Sequence, residues 1–278
     1  MTLRTFMIRA PEDIQESPET LSLRCDILDP TRVFEAITTN EIRVIGQLSN
    51  SSNGALLGEI EIGDHEKFSV VIKPSSFENP LIDFEWGTLT KREVAAYELS
   101  QLLGWNLVPP TVLRDVQDLE CSVQLFVPHD PREHYFNLAI SDRSIVEKFV
   151  VFDYLVNNAD RKAGHLLVEK LESFEFSPEA SGEVVPSLSS PIYGIDHGLT
   201  FHEEDKLRTV IWEYAEKPIS IPLLEDVTRV VSRVDETLSK FLSHAERQAT
   251  ALRIEKLLIN PFHRALDGNS RAFPWPLV

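Results

Sequence analysis

The residues best suited to chemistry lie in two short stretches, Asn157-Asn158-Ala159-Asp160-Arg161-Lys162-Ala163-Gly164-His165 and Tyr193-Gly194-Ile195-Asp196-His197-Gly198-Leu199. Each follows an apolar run and presents one carboxylate in a tight polar loop. Phosphoryl transfer asks for such a pair. One carboxylate orients an attacking hydroxyl and takes its proton, and the other holds a cation against phosphate oxygens. Taken singly, each residue has an ordinary alternative. Asp160 suits a helix-terminating turn and Asp196 a turn before Gly198. His165 is equally well read as a metal ligand, a phosphate contact or a hydrogen-bonded structural residue. A hard cation such as Mg2+ favours the oxygen donors of a residue like Asp196.

Further positions extend the pattern. In Ser49-Asn50-Ser51-Ser52-Asn53-Gly54, between two predicted strands, backbone N–H groups and the small side chains of Ser49, Ser51, Ser52 and Asn53 could cradle phosphate oxygens. Most such turns are only hairpins. Lys73 ends the apolar strand Ser69-Val70-Val71-Ile72, which would carry its ammonium into a cleft; the plain alternative is a surface lysine before Pro74. Glu93 sits one turn into the next helix, placed either to hold Lys73 or to complete a capping box. The order of strand, Ser/Asn-rich turn, strand, Lys, helical Glu, apolar hinge, Asp loop and second Asp is much more specific than any one member.

The elements that must position these residues follow from periodicity. Residues 1–40, rich in Pro, Glu and Thr and without sustained period, read as a loosely ordered arm. Arg43 to Leu48, Ala55 to Ile62 and Phe68 to Ile72 read as antiparallel strands separated by Ser-Asn-Gly and Gly-Asp turns. Thr88 to Gly104 reads as an amphipathic helix capped by Thr90 and stopped by Gly104. Val112 to Leu113 and Ser122 to Val127 read as further strands. Pro128-His129-Asp130-Pro131 breaks the chain, which predicts a smaller lobe over 41–128 and a larger one over 129–278. In the latter, Ser141 or Asp142 caps a helix running to Leu155, and Leu166 to Val168 pairs with Ile192 to Ile195. A polar insertion fills Glu172 to Ser190. Apolar residues from Val227 to Leu242 and a helix from His244 to about Ile259 complete the lobe. The Pro274-Trp275-Pro276 tail reads as irregular.

Composition sets bounds. The 278 residues suffice for one two-lobed domain, and 42% hydrophobic with 26% charged residues is ordinary for a folded chain. The formal net charge of −17 disfavours nonspecific binding to nucleic acid or to an anionic membrane. Cys25 and Cys121 lie far apart, which argues against a disulfide framework or a zinc site and for a reducing, cytoplasmic setting. No apolar run approaches the ~18 residues of a membrane span, so no stable membrane insertion is expected. Arg161, Lys162, Lys206 and Arg208 read either as attractors of an anionic acceptor or as solvated charges. Trp212 and Tyr214 read as anchors of the intervening segment.

Val71-Ile72-Lys73-Pro74, Gln124-Leu125-Phe126-Val127, Asn158-Ala159-Asp160-Arg161 and Ile195-Asp196-His197-Gly198-Leu199 resemble the phosphatidylinositol 3-/4-kinase-like superfamily. The resemblance is strongest to the type II phosphatidylinositol 4-kinases and their uncharacterised bacterial relatives, and it runs from about Arg43 to Pro218. It implies an α+β, two-lobed, protein-kinase-like fold with a β-rich amino-terminal lobe, a mainly helical carboxyl-terminal lobe and ATP between them. By it, Lys73 holds phosphates, Glu93 positions Lys73, and backbone at Gln124, Phe126 and Val127 receives adenine. Asp160 is then the catalytic base and Asp196 the principal Mg2+ ligand; His165, at its position in the loop, is the second candidate metal ligand, and Mn2+ is the alternative ion. Two departures stand out. His165 replaces the usual Asn, and His197 replaces the aromatic residue of the usual Asp-Phe-Gly triplet. There is neither the cysteine cluster of type II lipid kinases nor a polybasic stripe. The expected activity is ATP-dependent transfer of a phosphoryl group to an unidentified alcohol of a protein, lipid head group or small metabolite. The alternatives are a nucleotide-binding pseudokinase and an AMP-transferring enzyme.

Overall fold

Alternating apolar and polar residues build a five-stranded antiparallel sheet in a computed structural model that describes residues 30–48, 54–63, 66–138, 140, 142–170, 191–266 and 271–278. The strands are β1 (Ile42–Gln47), β2 (Leu56–Ile62), β3 (Glu66–Pro74), β4 (Thr111–Val116) and β5 (Leu119–Leu125), in the spatial order β1-β2-β3-β5-β4. Period-two alternation puts Ile60, Ile62, Val70, Ile72, Val112 and Val123 into one core. The β4–β5 connection is a two-residue turn in which Gln117 and Asp118 both take positive φ, the twist that suits a tight hairpin.

The expectation of a loose arm through residue 40 is corrected at its end. Pro30–Thr39 form a helix, α1, which buries Val33, Ala36 and Ile37 with the sheet's core residues. Arg114 of β4 donates to the carbonyls of Ile37 (2.7 Å) and Asn40 (3.0 Å), satisfying acceptors that the helix end leaves open. Only a few apolar residues repeat at helical spacing there, too few to stand out in sequence. The expected turn at Ser49, Ser51, Ser52 and Asn53 and the insertion from Glu172 to Ser190 lie outside the described residues.

The helix α2 (Leu89–Leu103) ends as expected at Gly104, whose φ of 72° lies in the left-handed region open to glycine. Its start is different. Thr88, not Thr90, is the cap residue, and Thr90 lies within the helix. Glu78, from the preceding loop, supplies the acceptors: its carboxylate takes the N–H groups of Gly87 (2.7 Å) and Thr90 (3.1 Å). Nor is α2 amphipathic. It is buried on most of its circumference, between the sheet and the larger lobe.

The larger lobe is helical. Asp142 caps α3 (Arg143–Val156) by accepting from Ser144 N–H at 2.9 Å. The helix stops at Asn157, where φ is 53°. A short hairpin of β6 (Leu166–Val168) and β7 (Ile192–Gly194) follows, then α4 (Ile221–Leu238) and α5 (His244–Ile259). Phe149, Phe152, Leu155, Val227, Val230, Val234 and Ile254 pack with Ala95, Leu99 and Leu103 of α2 in one core. Each such buried Phe, Leu or Val contributes about 1.5–3 kcal/mol through removal from water. Trp212 and Tyr214 do anchor their segment. The Trp212 indole N–H donates to the Ala272 carbonyl (3.2 Å) and the Tyr214 hydroxyl to the Arg143 carbonyl (2.8 Å). The chain is thus an α+β protein of two lobes. Among the described residues no helix is long and apolar enough to cross a membrane.

Candidate functional site

Three elements converge between the lobes: the end of β3, the first turns of α2 and the loop after β7. Lys73, near the end of β3, extends its ammonium to the carboxylate of Glu93 on α2, and the same nitrogen lies 3.0 Å from Oδ1 of Asp196. Burial alone would lower the basicity of Lys73. The two carboxylates outweigh it and hold the ammonium above its ordinary range. Asp196 remains nearly half-exposed, at 47% of its side chain, and attraction to Lys73 is the main force keeping it ionised well below the usual carboxylate range.

Asp160 lies in the loop after α3. The Asn158 carboxamide oxygen accepts from its N–H (2.9 Å), and the Ala159 N–H donates to the Leu199 carbonyl (2.9 Å), which fastens this loop to the one bearing Asp196. The Asp160 carboxylate pairs with Lys162 at 2.8 Å. Burial raises its pKa, repulsion from Asp196 adds to the rise, and Lys162 opposes it. A carboxylate lifted in this way is the better proton acceptor.

His165 ends a 3-10 turn, Ala163–His165. Its Nε2 lies 3.4 Å from Oδ2 of Asp196, and its Nδ1 accepts from the Lys162 N–H at 3.5 Å. Burial pushes its pKa down to about 4, so the ring is neutral near pH 7. With Nδ1 accepting, Nε2 carries the proton and points it at Asp196.

The hinge candidates are engaged unequally. Gln124 turns its side chain to Thr111 Oγ1 (2.9 Å), and its backbone belongs to the sheet. Leu125 N–H bonds to Pro110 and Phe126 N–H to Ser69. The Val127 carbonyl faces His129 Nδ1 at 2.8 Å. Among the described residues, the Phe126 carbonyl and the Val127 N–H, which lie past the end of β5, make no backbone hydrogen bond.

Two basic residues are not where sequence reasoning put them. Arg161 is neither solvated nor open to an acceptor. It is fully buried, paired with Asp153 of α3 at 2.9 Å. The signal that could have found it is Asp153 itself, a lone carboxylate within the otherwise apolar run from Phe149 to Val156. Lys206 is bound to Asp83 (3.0 Å) and Glu204 (3.1 Å). Arg208 is half-buried, and its charge reaches Asp160.

Among the described residues no three His, Cys, Asp or Glu side chains form a ready cation cage. The donor set of one ionised carboxylate and a neutral imidazole nonetheless fits a nucleotide-bound Mg2+ or Mn2+, which takes one or two protein carboxylates and completes its shell with phosphate and water oxygens. A cavity of about 740 Å³ lies elsewhere, lined by Tyr154, Trp212, Leu257 and His263 among others, and includes none of these residues.

Comparison with known proteins bears on the family and on the fold. The sequence profile of the family described as phosphatidylinositol 3- and 4-kinase matches residues 114–267. Protein Rv2133c of Mycobacterium tuberculosis is 33% identical over 279 residues, covering 86% of this chain and 93% of that protein. Phosphatidylinositol 4-kinase gamma 5 of Arabidopsis thaliana is 30% identical over 166 residues, 52% of this chain and 24% of the plant protein. Among solved structures, the Golgi casein kinase with Mn/ADP bound has a TM-score of 0.51 at 15% identity, with 90% of this chain and 80% of that chain covered. Hydra Fam20 with sugar has a TM-score of 0.51 at 13% identity, with 88% and 94% covered. These two likenesses establish the two-lobed kinase-like fold. With more than half its length matched by the profile and a third of its residues shared with a full-length relative, the chain belongs to the phosphatidylinositol 3- and 4-kinase family.

Proposed function

We propose that this kinase-like protein is an active phosphotransferase that moves the γ-phosphoryl group of ATP to an alcohol. The single observation that carries the proposal is the meeting of Lys73, Glu93 and Asp196, from three separate parts of the chain, with one ammonium between two carboxylates. In this reading Lys73 binds the nucleotide phosphates and Glu93 fixes its direction. The Phe126 carbonyl and Val127 N–H receive adenine, while Ser49, Ser51, Ser52 and Asn53 cover the phosphates. Residues 41–128 form the covering lobe and 129–278 the catalytic one.

Asp160 orients the acceptor hydroxyl and accepts its proton as the new oxygen–phosphorus bond forms. The bond from the γ-phosphorus to its bridging oxygen breaks and ADP leaves with that electron pair. Lys162, already beside Asp160, is placed to balance the charge that builds on the transferred group. Asp196 is the principal metal ligand, with His165 beside it. A bound Mg2+ or Mn2+ would neutralise phosphate charge. Holding the metal through His165 Nε2 would require the other tautomer and would cost the Lys162 hydrogen bond.

The test uses ATP labelled separately at the α- and γ-phosphates, with mass spectrometry of the products. Transfer of γ-label, lost in D160N and D196A, is the expected result. Transfer of α-label would replace this reading with AMP transfer, and nucleotide binding without transfer would replace it with a pseudokinase.

A further inference from the structure

We propose that Arg161 is a positioning residue: acting through His197, it fixes the loop of Asp196 relative to the loop of Asp160. The inference rests on the reading of Asp196 as a metal ligand. Arg161 directly follows Asp160 in the chain, yet its guanidinium spans to both neighbours of Asp196. Nη1 donates to the Ile195 carbonyl at 3.1 Å, and Nη2 lies 2.6 Å from Nε2 of His197. The rest of the fork is held from behind, since Nε and Nη2 donate to the Asp153 carboxylate at 3.0 and 2.9 Å. Lysine has one nitrogen and cannot make these bonds together.

The surroundings are shaped to this group. Gly194 lies so close that a Cβ there would come within 3.3 Å of both guanidinium Nη atoms and 2.8 Å of a Phe149 ring carbon. His197 is fully buried. A guanidinium can only donate, so Nε2 of His197 must be the acceptor and Nδ1 carries the proton. That Nδ1 has no partner among the described residues, an uncompensated donor that a mere core-filling aromatic would avoid. The return for it is orientation. Asp196, between two residues that Arg161 holds, is fixed at a φ of 60°, which few non-glycine residues adopt.

The test reads metal dependence separately from folding. Affinity for the non-hydrolysable analogue AMP-PNP is measured by calorimetry with Mn2+ and with EDTA, for the wild type, H197F, H197Q and G194A, with circular dichroism as the check on folding. The gain in affinity from Mn2+ is expected to fall about tenfold or more in H197F and G194A, the scale typical of lost support behind a metal ligand. The affinity in EDTA is expected to stay unchanged. H197Q, which still offers an oxygen to Arg161, keeps most of the gain. Folded H197F with the full wild-type gain overturns the inference and leaves the phosphotransferase reading standing. Equal losses with and without metal overturn it too, because they mark a structural role only. If H197F does not fold, G194A decides by the same criteria. If the wild type gains nothing from Mn2+, the metal role of Asp196 falls and this inference falls with it.

Discussion

The backbone N–H of His197 donates to Oε2 of Glu93 at 2.9 Å, while Oε1 of the same carboxylate receives the ammonium of Lys73. One nearly buried carboxylate therefore ties the end of β3 to the loop of Asp196. Lys73→Met would leave Glu93, 4% exposed, without its cation. Breaking a buried pair in this way costs about 3 kcal/mol. The double variant Lys73→Met with Glu93→Gln should recover most of that stability, because no charge stays buried, while nucleotide affinity stays lost. Urea unfolding and nucleotide titration of the two variants check this. Simple additivity of the two substitutions in stability would count against the coupling.

Asp160→Asn keeps the side-chain shape and the loop bond from its N–H to Asn158. It removes the proton acceptor and the charge that pairs with Lys162. The transfer rate should fall about 10²- to 10⁴-fold, the usual contribution of general base catalysis, with nucleotide affinity little changed. Single-turnover kinetics beside equilibrium binding separates the two effects. A parallel loss of affinity would move Asp160 from proton transfer to binding.

Local pattern reaches some of this arrangement and not the rest. The strands around Lys73 are legible because Val70 and Ile72 alternate with residues facing away, and α5 is legible because its apolar residues repeat at helical spacing from His244. The donors at the start of α2 are satisfied by Glu78, twelve residues before Thr90. Sequence spacing offers no trace of that bond, so local pattern alone points to Thr90 as the cap. The burial of Arg161 is hidden from sequence for a similar reason. Its neighbours in sequence are polar, and its true surroundings, Asp153, Gly194, Ile195 and His197, come together only when three elements pack. The helix α1 is not legible in sequence because its apolar side is complete only against the sheet.

His263 lies in the larger lobe, away from Lys73 and Asp196. Its ring is buried with Nε2 3.2 Å from Glu147, and the aromatic ring of Tyr214 lies against it. Burial lowers its pKa more than Glu147 raises it, and Lys217 adds to the lowering. A histidine with a depressed folded-state pKa binds its proton more readily when unfolded. Its contribution to stability is therefore complete above the unfolded value, about 6.5, and declines as pH falls below it toward the folded value. Unfolding free energies at pH 7.5 and 5.5 should show a larger acid loss in the wild type than in His263→Gln. An equal loss in both would show that His263 does not contribute.

Arg92, the residue before Glu93, fastens α2 to the larger lobe. Its Nη1 donates to the Thr200 carbonyl at 2.6 Å, its Nη2 pairs with Glu246 of α5, and its guanidinium stands 5.0 Å from the centre of the Phe84 ring. Just beyond the end of α2, the Trp105 indole donates to Asp226 of α4 at 2.8 Å, and Arg229 of α4 donates to the Leu103 carbonyl at 3.2 Å. The helix that positions Lys73 is thus built into the core of the other lobe and cannot swing away without opening it. Hydrogen exchange should show α2 amides protected together with those of α4 rather than with β1, because cooperative units follow shared burial. Glu246→Ala leaves a buried guanidinium without its carboxylate and also removes the box with Ser243 that caps α5. It should destabilise the protein by about 3–5 kcal/mol and raise exchange in α2 and α4 together. Faster exchange confined to α5 would mean that Arg92 finds another partner and that the clamp does not hold α2.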